Sequence, residues 1–63
     1  MKRIKIFRNQ KGLSQSELAE KIGVSQNTVS QWETGERIPN VLILKKLTKI
    51  LGCSADSLLE DII

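Results

Sequence analysis

An all-α fold of five short helices is what this sequence predicts, and three observations carry the prediction. With 63 residues the chain has room for one small domain and one marginal core, which favours compact helical packing. Apolar residues recur three and four apart through most of its length, the spacing of a helix face. Four glycines, Gly12, Gly23, Gly35 and Gly52, stand where those runs end, and Ser14, Ser25, Asn40 and Ser54 follow as capping residues before the next run.

The first helix is expected over residues 2 to 10, with Ile4 and Phe7 facing the core and Ile6 on another face. Leu13 anchors the entry to the second helix, which starts at Ser14 and packs through Leu18, Ala19 and Ile22. Ser14 and Glu17 have the spacing of a capping box, each side chain reaching the other's unpaired backbone N–H. Gly23 sits past the last apolar residue, where a helix often closes with positive φ and glycine meets no steric penalty. Val24 points inward, Ser25 caps the third helix, and Val29 and Trp32 bury one face of it. After Gly35 and Pro39 a fourth helix runs from about Val41 to Leu51. At 100° per residue, Val41, Leu44, Leu47, Thr48 and Leu51 share its core face, Ile43 and Ile50 widen it, and Leu42 falls among Lys45, Lys46 and Lys49 on the wet side. Cys53 reads as core filler. Ser54 caps a short fifth helix in which Leu58 and Leu59 return to the core, and Ile62 and Ile63 end the chain.

Composition excludes several classes of function. There is one Cys and no His, so neither an internal disulfide nor a zinc cluster is available and no cofactor is expected. No Ser stands in a nucleophile elbow, no glycine loop fits a phosphate, and carboxylates are not clustered, so an enzyme is not expected. The basic start lacks the apolar stretch of a secretory signal, and no run reaches membrane-spanning length, which points to a reducing, cytoplasmic setting. Net charge is +3 and uneven: Lys2, Arg3, Lys5, Arg8 and Lys11 carry the first eleven residues without an acid, whereas residues 12 to 36 carry Glu17, Glu20, Glu33 and Glu36 against Lys21. Such a balance permits nucleic-acid binding without requiring it.

The informative stretch is QSELAEKIGVSQNTVSQWET, residues 15 to 34: two helices about a tight turn at Gly23. The side chains left outside on the second of them, Gln26, Asn27, Thr28, Ser30 and Gln31, are uncharged hydrogen-bonding groups gathered towards its N-terminus. A helix fits the major groove of B-DNA, and Gln or Asn can bond adenine at two atoms. In a helix-turn-helix the N-terminal residues of the second helix reach base edges, which assigns base contacts to Gln26, Asn27 and Gln31. Thr28 can offer its methyl to thymine or its hydroxyl to a phosphate. Ser30 suits a phosphate, and Ser25 either a phosphate or the cap. Arg37 is the natural phosphate clamp of the following loop, with Asn40 and the first backbone N–H groups of the fourth helix beside it. Between Lys21 and Arg37 there is no Arg or Lys, so a two-pronged Arg–guanine contact from this helix is not available, a weak pointer to A·T-containing half-sites.

These residues resemble the helix-turn-helix of the phage repressor and Cro-like (XRE) family. The likeness rests on Leu18, Ala19, Ile22, Gly23, Val24, Val29 and Trp32, runs through Glu33-x-Gly35 and Pro39, and continues into LxxLxxxLGCSxDSLL at residues 44 to 59, covering nearly the whole chain. It implies a single lambda-repressor-like domain over residues 1 to 63 that binds an operator in double-stranded DNA and regulates transcription, usually by repression. It also implies an ion pair between Arg8 and Glu33, and a role for Gln15 in touching a phosphate and steadying Gln26. Relatives usually act as two-fold dimers, often through their C-terminal helices. On that ground Leu58, Ile62 and Ile63, and then Ile43 and Leu42, are candidate homodimer contacts; scattered surface apolars and a cover supplied by a further domain or partner protein are the alternatives. Ile6 stands where relatives are usually polar, and Glu36 where some are basic. Two other functions fit the same fold: the antitoxin of a toxin–antitoxin pair, and a protein-interaction module that has lost DNA.

Overall fold

The computed structural model describes residues 1–60. Ile62 and Ile63, and with them two of the expected dimer contacts, lie outside the described residues. Five α-helices follow one another: α1 (Lys2–Gln10), α2 (Gln15–Ile22), α3 (Gln26–Thr34), α4 (Val41–Leu51) and α5 (Ala55–Leu59). Four of the five begin on the capping side chain that local sequence proposes. The hydroxyls of Ser14, Ser25 and Ser54 and the Asn40 carboxamide oxygen each accept the backbone N–H three residues on. At Ser14 the bond is reciprocated by Glu17, 2.9 Å from the Ser14 N–H, which completes the capping box. That N–H bond first, and the Ser14 hydroxyl second, hold the exposed Glu17 carboxyl below its ordinary value.

Between α2 and α3 the chain reverses at Gly23, whose φ of +90° lies in the left-handed region. The N–H groups of Gly23 and Val24 both return to the Ala19 carbonyl, at 2.8 and 3.0 Å, and so close the end of α2. This turn lets α2 pack along α3. Helix α1 lies against α3 and α5, and α4 closes the bundle against α2 and α5.

The core runs through all five helices: Ile4 from α1, Leu18, Ala19 and Ile22 from α2, Val29 and Trp32 from α3, Leu47 and Leu51 from α4, and Leu58 from α5. Phe7, Leu13, Val24, Ile43, Leu44, Ile50, Cys53 and Leu59 pack around it partly buried. Burial pushes the Cys53 thiol above its ordinary value, against an opposing effect of the Arg3 charge.

Three expectations change. Leu58 is fully buried in the core of its own chain, so it has no surface with which to meet a second copy. Val41 shares the azimuth of the core face of α4 but is 81% exposed, whereas Ile43 and Leu44 of the same turn pack partly buried against the core. Thr48 is only half-buried, and its hydroxyl donates back to the Lys45 carbonyl. Met1 joins the core unannounced, with its ammonium donating to the Trp32 carbonyl. Of the proposed dimer contacts within the described residues, Leu42 is 73% exposed and Ile43 lies half-buried against the core.

Candidate nucleic-acid interface

Three short helix starts build this surface, and a buried ion pair holds them in place. Arg8, on the last turn of α1, is 8% exposed. Its Nε donates to Glu33 Oε2 at 2.7 Å and its Nη2 to Oε1 at 3.3 Å, while Nη1 donates to the Leu13 carbonyl at 2.7 Å and to Asn9 Oδ1 at 3.1 Å. The planar guanidinium thus binds the carboxylate with two prongs and also ties down the α1–α2 connection. Burial alone would raise the Glu33 carboxyl. Hydrogen bonds from Arg8 and Gln15, with the positive charges of Arg8 and Lys5, outweigh it and hold the group below its ordinary value.

Gln15 therefore has an inward task. Its Nε2 donates to Glu33 Oε1 at 2.9 Å, which places the side chain in the ion-pair network rather than beside Gln26. The neighbour that does reach Gln26 is Ser16, whose hydroxyl donates to Gln26 Oε1 at 2.7 Å. Sequence inspection did not single out Ser16. Ser16 and Gln26 are ten residues apart, and only the fold-back at Gly23 brings the first turns of α2 and α3 side by side.

On α3, Gln26 and Asn27 are exposed, and Thr28, Ser30 and Gln31 are half-exposed. Ser25 serves as the cap: its Oγ accepts the Thr28 N–H at 3.2 Å and stands 2.9 Å from the Thr28 hydroxyl, so the two hydroxyls share a hydrogen bond. No acid lies in the first turn of α3 or of α4, so the partial positive charge of those helix starts is not neutralised locally. The α3–α4 loop turns back on Gln31, whose carbonyl accepts the Arg37 N–H at 3.2 Å. Arg37 and Asn40 then meet Thr28 in one shallow cleft, with Val24, Ile38 and Pro39 as its apolar wall. The Arg37 side chain is exposed, and Asn40 Oδ1 is occupied by the Ile43 N–H at 2.9 Å, which leaves its amide N–H₂ outward as donor. Glu36 Oε1 lies 3.5 Å from the Thr34 hydroxyl, on the far side of Gly35.

Comparison with known proteins agrees in sequence and in shape. The chain is 40% identical over 60 residues to the HTH-type transcriptional regulator SinR of Bacillus subtilis, which covers 94% of this chain and 54% of that protein. It is 41% identical over 58 residues to repressor protein C2 of Salmonella phage P22, covering 92% of this chain and 27% of the repressor. It therefore spans about half or less of the length of these relatives. The solution structure of the DNA-binding domain of the P22 C2 repressor superimposes with a TM-score of 0.83 at 42% identity, over 90% of this chain and 75% of that one. A helix-turn-helix family profile matches residues 4–58, and the chain belongs to that helix-turn-helix family.

Proposed function

We propose that this chain is a sequence-specific double-stranded DNA-binding domain of a transcriptional regulator, acting by occupying an operator. The observation that carries this reading is the uncharged, hydrogen-bonding surface of α3 starting at Gln26, set beside the exposed Arg37 and the acid-free start of α4. The likeness to a solved DNA-binding domain supports the same placement. With α3 in the major groove, Gln26, Asn27, Thr28 and Gln31 face base edges, while Ser25, Ser30, Arg37 and Asn40 lie towards the phosphates. Gln15 contributes by holding Glu33, and the family and fold are those of regulators, not of enzymes. Two copies would read a near-palindrome with half-sites about 34 Å apart, one turn of the duplex. Of the candidate pairing contacts among the described residues, Leu42 is the exposed one. Among the described residues no helix is long and apolar enough to cross a membrane, which fits a cytoplasmic regulator.

Selection from a random duplex library with the 63-residue chain, near physiological salt, tests this directly. A two-fold motif with half-sites one turn apart is the expected result. A folded chain that enriches nothing would end the DNA reading and favour a partner protein. Single variants separate the roles: Gln26→Ala and Asn27→Ala should each relax discrimination by about 1–3 kcal/mol at one base pair. Arg37→Ala should instead weaken all sequences alike and reduce the steepness of the salt dependence by about one phosphate's worth. If Gln26→Ala behaved like Arg37→Ala, the division between base and phosphate contacts would be wrong.

A further inference from the structure

We propose that the outward face of α4 around Leu42 is a docking surface for a partner protein, and that what it takes is an acidic amphipathic helix with an apolar side chain to set against Leu42. This goes beyond the DNA-binding reading and does not depend on it. Its basis is a shallow groove of about 420 Å³ lined by Leu42 and Ile43 with Asn40, Lys45, Lys46 and Lys49.

Lys45, Lys46 and Lys49 follow Leu42 at three, four and seven residues, so the four side chains form one stripe along α4, about 10 Å long. Leu42 is 73% exposed at one end of it, and all three lysines are exposed. The helix carries no acid to balance them, its sequence being VLILKKLTKIL. The ion pairs among the described residues are Arg3–Glu60 and Arg8–Glu33, so none of the three lysines is paired there. Lys49, in the last turn, complements the negative end of the helix. Lys45 and Lys46 lie mid-helix, where that account does not reach.

A large exposed apolar side chain beside unpaired cations calls for an occupant that answers both. Duplex DNA answers only the charge, since its backbone offers phosphates and no apolar surface to set against Leu42. A second copy answers only the apolar part. A two-fold contact centred on Leu42 would set three lysines of one copy against three of the next, with no acid on either α4. A helix with an apolar anchor and carboxylates three, four and seven residues along answers both, in the manner of an amphipathic helix laid in a groove.

Titration of the 63-residue chain with two synthetic peptides, followed by fluorescence anisotropy at low salt, tests this. One is a helical peptide of about three turns made of Leu, Glu and Ala, with Leu along one face and Glu flanking it. The other has the same composition in scrambled order. The ordered peptide should bind, and the scrambled one about tenfold more weakly, the scale of one buried leucine. Leu42→Ser should weaken the ordered peptide by a similar factor and Lys46→Glu by about fivefold, with thermal melting to show that each variant is folded. Lys21→Glu makes the same charge change at an exposed position on α2 and should leave binding unaltered. Equal binding of the two peptides, or equal losses in Lys46→Glu and Lys21→Glu, would overturn the proposal by reducing the contact to unspecific charge attraction. A dimer of the free chain that dissociates in Leu42→Ser, seen by sedimentation, would overturn it in favour of a second copy. No binding of the ordered peptide would overturn it as well, and a loss of duplex affinity in Lys46→Glu would then assign the stripe to phosphates.

Discussion

Arg8 shows how much one side chain can carry in so small a domain. Its guanidinium serves four acceptors on three separate stretches of chain, namely α1, the α1–α2 connection and α3. Removing one partner of a buried pair costs about 3–5 kcal/mol, because the remaining charge is left in a poorly solvated place. For a chain of this length the whole stability is on the order of 3–9 kcal/mol. Arg8→Ala is therefore expected to leave a substantial unfolded population, seen as a large fall in the urea midpoint. Arg8→Lys keeps the charge but not the two-pronged fork, and should recover less than half of that loss. A lysine variant as stable as the wild type would show that charge alone is sufficient. The Arg8–Glu33 pair was visible in the sequence only by resemblance, since nothing local ties residues 25 positions apart. Gln15, expected by resemblance beside Gln26, meets Glu33, and Ser16, to which sequence inspection assigned no role, meets Gln26: position on α2 says which face a residue occupies, but not which α3 side chain it meets.

At the scale of elements, the helix-turn-helix hinges on Gly23. An added Cβ there would meet nothing within 4 Å, so the cost of a side chain comes from the backbone alone, at φ +90°. Gly23→Ala should destabilise by about 1–2 kcal/mol, the penalty for an L-residue held in the left-handed region, and thermal melting would register it. An unchanged melting temperature would mean that the turn relaxes to negative φ without disturbing α2 or α3. The element boundaries were legible because caps and stops are local: Ser14, Ser25, Asn40 and Ser54 bond only three residues ahead. Val41 was misplaced because a helical wheel gives direction but not depth. It points as Leu44 and Leu51 do, yet is exposed where they are partly or fully buried.

Over the whole molecule, acid response follows from the buried carboxylate. Glu33 is held below the ordinary value of 4.5 in the fold, so below that pH the unfolded chain binds the proton more readily than the folded one does. Stability contributed by the pair is thus present above about 4.5 and drains away as pH falls through the lowered native value. Urea midpoints should be nearly level from pH 7 to 5 and drop below about pH 4. Glu33→Gln should be less stable at neutral pH and show a flatter acid limb. If the variant kept the full wild-type decline, other carboxylates would have to carry it.

By itself the sequence determined the five helices, their caps and stops, the turn at Gly23 and the polar character of the α3 surface. All of these depend on residues within about one helical turn of each other. Tertiary structure alone decided that Val41 is exposed although it shares the core azimuth of α4, that the Met1 ammonium reaches the Trp32 carbonyl, and that Gln26 meets Ser16 while Gln15 meets Glu33. Each of these depends on the distance and angle at which separate helices come to rest. Those are set by the joint packing of the core, which no single segment encodes.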